Sequence, residues 1–126
     1  MKRMWIGIGV LLAILLVGIL VTAVFARLHY PMAQSMARAG EMALAGDWDA
    51  ALRLSADTQK AWERCRRFTA ALADHDPIEE VECLFSQLAV WGRMRDTGSY
   101  ATVCAALSQR LQAIGDSQQL PWWSLL

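Results

Sequence analysis

The opening stretch, MKRMWIGIGVLLAILLVGILVTAVFAR, reads differently from everything after it. Residues 4–26 hold no charge and almost no polar group. As a helix rising about 1.5 Å per residue they would extend roughly 34 Å, against a hydrocarbon core of about 30 Å. Beyond Arg27 the pattern changes. Apolar residues return every third or fourth position with charged residues between them, the period of a helix that buries one face.

That period predicts four segments after the apolar run. Pro31 is expected to break or kink the chain at residues 29–31, because its ring removes an N–H and crowds the preceding turn. A first helix over 32–46 would place Met32, Met36, Ala39 and Ala43 on one face, with Gly46 as its stop. Asp47 is a good N-cap for a second helix over 48–73. Its inward positions would be Trp48, Leu52, Ser55, Trp62, Cys65, Phe68 and Leu72, and its outer face Arg53, Asp57, Lys60, Glu63, Arg64 and Arg67. A third helix over 77–95 would bury Ile78, Val81, Leu84, Phe85, Leu88 and Trp91, with Met94 extending the stripe. After the turn DTGS, a fourth over 99–114 would bury Tyr100, Val103, Cys104, Leu107, Leu111 and Ile114, with Gly115 ending it. Short connections make neighbouring helices antiparallel. The expected fold is therefore all-α: an N-terminal transmembrane helix followed by an up-down antiparallel bundle of three to four helices. Its divisions are a signal anchor at 1–27, a juxtamembrane helix at 28–46, a bundle core at 47–115 and a tail at 116–126.

Charge changes this picture in one respect. The 126 residues carry twelve basic and twelve acidic side chains. Lys2 and Arg3 precede the apolar run, so the body is left at about minus two. Basic residues on the short N-terminal side place the N-terminus in the cytoplasm and the body outside, with Trp5 as an interfacial aromatic. Cleavage after Ala26 by a signal peptidase is the competing expectation, although the apolar run exceeds the usual signal length of about 7–15 residues. Either way the body is extracytoplasmic. Its net charge gives no pull toward nucleic acid or an anionic membrane surface.

Chemistry-bearing residues concentrate in ADHDPIEEVECL, residues 73–84. A helix start explains most of them: Asp76 as N-cap, Pro77 at the first helical position, and Glu79 and Glu80 where the macrodipole favours carboxylates. The alternative is a metal or acid/base site of His75, Asp76 and Glu79, which is short of the His and Cys ligands zinc usually takes. If a hairpin turns near Asp74, Arg66 faces Glu82, Trp62 faces Ser86 beside Phe85, and Cys65 is level with Cys83. Interhelical ion pairs are then expected between ERCRR and IEEVE. A Cys65–Cys83 disulfide is one state of the thiols; three buried free cysteines, Cys104 included, is the favoured one. Trp122 and Trp123, after Pro121, either dock on the bundle or touch lipid headgroups.

Two resemblances bear on function. AGDWDAAL resembles the turn inside a tetratricopeptide repeat, but the following helix is too long and no second copy follows at the usual period of about 34 residues. More broadly, DWDAAL (Trp48, Ala51), KAWERCRRF (Trp62), HDPIEEVECL (His75, Ile78, Glu79) and LPWWSLL resemble the DUF4363 family of small bacterial proteins. The chain departs from that pattern at Pro77 and at Trp122 and Trp123, where a more polar ending is the rule. The resemblance implies a membrane-anchored helical domain of unassigned role, with no catalytic residues to carry over. The expectation is a non-enzymatic, single-pass membrane protein, without cofactor, whose bundle binds another protein or itself. The alternatives are a metal or ligand sensor at His75, Asp76 and Glu79, and a tetratricopeptide-like adaptor.

Overall fold

A computed structural model describes residues 1–72 and 75–117, with the backbone alone for Phe25, Leu72, His75 and Ser117. Four helices follow one another: α1 (Lys2–Leu44), α2 (Trp48–Leu72), α3 (His75–Met94) and α4 (Thr97–Ser117). They form an antiparallel ring. Each helix touches the next, α1 closes on α4, and the diagonal pairs stand apart among the described residues. The α1–α4 seam is the most extensive and the α2–α3 seam the slightest.

Of the break or kink expected at Pro31, the break is absent: the residue lies inside α1 without ending it. The ring is exposed, while His29, Met32, Ala33 and Met36 around it are buried. A proline inside a helix costs about 3 kcal/mol; burying each large apolar side chain returns about 1.5–3 kcal/mol, so packing on both sides holds the helix through the break. Residues 28–46 are accordingly no separate juxtamembrane helix. They form one wall of the bundle, and the core extends down α1 to the partly buried Val21. Beyond that point, toward the N-terminus, residues 1–20 are exposed, with nothing among the described residues covering them. Long and apolar enough to cross a membrane, α1 has its apolar half outside the bundle.

Small residues account for the tight α1–α4 seam. A Cβ on Gly40 would lie 3.1 Å from the Cβ of Cys104, and one on Gly115 3.2 Å from Tyr30. Gly115 therefore does not terminate α4. It lets α1 approach closely, and the helix runs on to Ser117. Nearby the Tyr30 hydroxyl donates to the Asp116 carboxylate.

The α1–α2 and α3–α4 turns share one design. At the first, Gly46 takes φ of 86°, its N–H bonds the Ala43 carbonyl and the Asp47 N–H bonds that of Met42. At the second, Arg95 takes φ of 51°, its N–H bonds Gly92 and the Asp96 N–H bonds Trp91. Both are the paired closure of a Schellman motif. Each aspartate then caps the next helix, Asp47 accepting from the Ala50 N–H at 3.3 Å and Asp96 from the Ser99 N–H at 3.2 Å. The expected cap at Asp47 is present. At α3 the expected cap is displaced: the helix begins at His75, so Asp76 sits in its first turn. Pro77 still forfeits no bond there, since the first four N–H groups of a helix have no partner within it.

The fourth helix buries all six expected residues. The third buries Ile78, Val81, Phe85 and Leu88, leaves Leu84 and Trp91 half-buried, and exposes Met94. The second departs most. Ala51, Thr58 and Thr69 are core, whereas Phe68 is exposed. The buried hydroxyls are satisfied along their own helix, Thr58 to the Leu54 carbonyl at 2.8 Å, Thr69 to that of Cys65 at 3.0 Å and Ser55 to that of Leu52 at 3.0 Å. Satisfied in this way, they cost little to bury.

Candidate functional site

The α2–α3 seam is where the bundle is least closed. Trp62 from α2 and Phe85 from α3 are both buried there, and rings of that size hold the two backbones apart. A groove of about 210 Å³ follows the seam, lined by Gln59, Trp62, Glu63, Arg66, Glu82, Phe85 and Ser86. Arg66 bridges it to Glu82 at 2.5 Å. This is the ion pair expected from the hairpin register, and Trp62 and Ser86 share the groove as that register required. A second interhelical pair, Arg110 with Glu80 at 3.1 Å, ties α4 to α3. Both pairs are half-exposed and contribute at most about 1 kcal/mol each.

Beneath the groove is the feature that the pattern of the chain did not reveal. Trp62 is 2 % exposed, and its indole N–H has no acceptor among the described residues. A buried donor left unpaired costs about 1–3 kcal/mol. One edge of the same ring meets His29 from α1, with centroids 6.3 Å apart and planes at 71°. His29 is fully buried, and its Nε2 lies 3.1 Å from the Thr69 hydroxyl. That hydroxyl donates to the Cys65 carbonyl, so it accepts from His29, and Nε2 carries the ring proton. His29 was legible in principle. It precedes Met32 and Met36 by three and seven residues, on the face they share, and only the break expected at Pro31 set it apart.

The other candidates disperse. Cys65 is buried and Cys83 exposed, both as free thiols, with Cys104 free and buried. Cys65 keeps phase with Trp62 and Thr69, whereas Cys83 lies two residues past Val81, on the outer side of α3. The expectation of three buried thiols is thus corrected at Cys83. Burial pushes the Cys104 thiol up to about 12 and raises that of Cys65, so both are protonated near neutral pH and are poor nucleophiles. Burial likewise raises Tyr100, whose hydroxyl donates to the Ala51 carbonyl at 3.2 Å. Asp76, Glu79, Glu80 and Cys83 line a shallow hollow of about 360 Å³ on α3. Among the described residues no three His, Cys, Asp or Glu side chains are placed to hold a metal ion. The His75 side chain, Trp122 and Trp123 lie outside what is described.

No family model, curated protein or solved structure matches the chain. The likeness to the DUF4363 family rests on the residues quoted for it.

Proposed function

We propose that this protein is a membrane-anchored interaction module without catalytic activity, held by α1 with its N-terminus in the cytoplasm and its bundle on the outer side. Its docking site is the α2–α3 groove, and its occupant is a segment of another envelope protein that offers an acceptor oxygen. The observation that carries this reading is the unpaired Trp62 N–H beneath the slightest seam of the bundle. A carbonyl or carboxylate brought into an opened seam would complete that donor. Arg66 and Glu82 at the rim offer one charge of each sign to orient the incoming segment. The anchoring half of the proposal is supported by the uncovered apolar half of α1 and by Lys2 and Arg3 ahead of it. The order of features shared with the DUF4363 family agrees with it.

A benzophenone amino acid at position 86, within the groove, tests the proposal in native membranes carrying the full-length chain. The expected result is one discrete adduct to a different protein, lost in Trp62→Phe and absent when the same probe sits at position 34 on the α1–α4 side. Adducts only to a second copy of the chain would replace the heterologous partner by self-association. Equal labelling from both positions would remove the groove as the docking site.

A further inference from the structure

Size sets a first limit on what the α2–α3 groove can receive. One turn of an α-helix, about 10 Å across and about 5.4 Å high, fills roughly 420 Å³. The groove holds about 210 Å³. It therefore takes a single side chain, while the main chain that carries it stays above the rim.

Hydrogen-bonding groups set a second limit. Trp62 lines the groove, and its indole N–H can only donate; it is buried and has no acceptor among the described residues. The Ser86 hydroxyl already donates to the Glu82 carbonyl at 3.1 Å, so its oxygen is left as an acceptor. Arg66 is engaged with Glu82 at 2.5 Å. Glu63 lines the same groove, is exposed, and makes no ion pair among the described residues. The occupant thus meets a donor that lacks an acceptor and acceptors that lack donors. The charged groups around it are two carboxylates and one guanidinium, a net charge of minus one.

Three side-chain chemistries meet these conditions unequally. A carboxylate completes the indole N–H but enters beside Glu63 and Glu82. Only Arg66 could pair with it, and drawing Arg66 away leaves Glu82 as a second unpaired anion facing it; like charges brought together in this way are disfavoured. An ammonium suits Glu63 but has no lone pair to offer, so the indole donor stays unmatched. A primary carboxamide is uncharged and carries an acceptor oxygen and a donor NH₂ on one carbon. A main-chain peptide unit has both kinds of group, but its neighbours on either side would have to enter with it, and the volume does not admit them.

We infer that the group received by the α2–α3 groove is a primary carboxamide, the side chain of a glutamine or asparagine on the partner segment. Its oxygen accepts from Nε1 of Trp62, and its nitrogen donates to the Glu63 carboxylate. This inference rests on the groove as the docking site and specifies what enters it.

The test uses full-length protein in detergent micelles with nitrogen-15 in its tryptophan side chains. The Trp62 indole resonance is the one lost in Trp62→Phe. Near neutral pH the protein is titrated with butyramide, butyrate and butylammonium, short chains of similar size with different head groups. The expected result is a saturable downfield shift of the Trp62 indole proton with butyramide, severalfold weaker binding of butyrate, and no shift with butylammonium. Glu63→Ala should weaken butyramide severalfold, and Glu41→Ala, on α1, should leave it unchanged. Butyrate or butylammonium binding as tightly as butyramide would overturn the carboxamide and leave the groove standing as a docking site. No response to any of the three would overturn the inference, and the adduct from position 86 then decides separately whether the groove docks a partner.

Discussion

The hairpin α1–α2 and the hairpin α3–α4 share a set of buried positions, forty-nine residues apart, and fill them with different side chains. Met32, Met36, Ala39, Ala43, Ala51, Ser55, Thr58, Trp62 and Cys65 correspond to Val81, Phe85, Leu88, Gly92, Tyr100, Cys104, Leu107, Leu111 and Ile114, and all are buried. Gly46 corresponds to Arg95 at the left-handed turn position and Asp47 to Asp96 at the cap. Along the inner face of α2 the residues are mostly small or hydroxylated; along that of α4 they are mostly large. The core is thus built from unequal halves. Large side chains of one hairpin enter space left by small ones of the other, as Tyr100 does in reaching the Ala51 carbonyl and stacking edge-on to Trp48 at 5.0 Å. Equal backbone registers do not imply equal shares of the stabilising burial.

The strongest challenge to that inequality is a pair of truncations at matched positions. Leu107→Ala should cost about 2–5 kcal/mol, as for other fully buried leucines. Thr58→Ala should cost no more than about 1 kcal/mol, because its hydroxyl bonds only its own helix. Urea unfolding of the full-length protein in detergent gives both values. Similar losses would mean that the two hairpins share the core evenly.

The turns sharpen the comparison at smaller cost. Gly46 holds φ of 86° without strain, whereas Arg95 holds 51° against its Cβ. Gly46→Ala should lower stability by about 1–2 kcal/mol, and Arg95→Gly should raise it by up to about 1 kcal/mol. Thermal midpoints followed by circular dichroism distinguish the two; shifts of the same sign would show that the turns are not equivalent.

The last effect is on pH dependence; Cys65 in the first hairpin contributes to it, and the second hairpin contributes two groups. The Cys104 thiol is held neutral by burial, with its pKa raised from 9.0 to about 12. Tyr100, also raised, acts in the same sense. The stability these groups contribute is complete below their ordinary pKa values and is lost as pH climbs toward the raised ones. The urea midpoint should fall above about pH 9, and fall less steeply in Cys104→Ala; an unchanged slope would mean that the thiol is not desolvated.

How much of this was legible follows the same division. The fourth helix could be read residue by residue, since its buried face is made of large apolar side chains at helical spacing. The second misled at Ala51, Thr58 and Thr69, because a small or hydroxylated residue opposite a large partner carries no apolar signal of its own. Phe68 misled in the opposite direction, being apolar and outside. The α2–α3 register was readable from a turn centred near Asp74, which placed Arg66 against Glu82. The Trp62 N–H, without an acceptor among the described residues, was not, since the place of an acceptor is a property of three dimensions. Pro31 was misjudged because a local rule about one residue was weighed without the packing on either side of it.

That unbroken passage through Pro31 makes α1 a lever. Its upper arm, from Arg27 to Leu44, is about 26 Å long. A membrane helix tilted by about 20° would carry the distal turns sideways by some 9 Å. If α1 spans a bilayer as proposed, a change of tilt with bilayer thickness would be carried along this arm to the turns at Gly46 and Arg95.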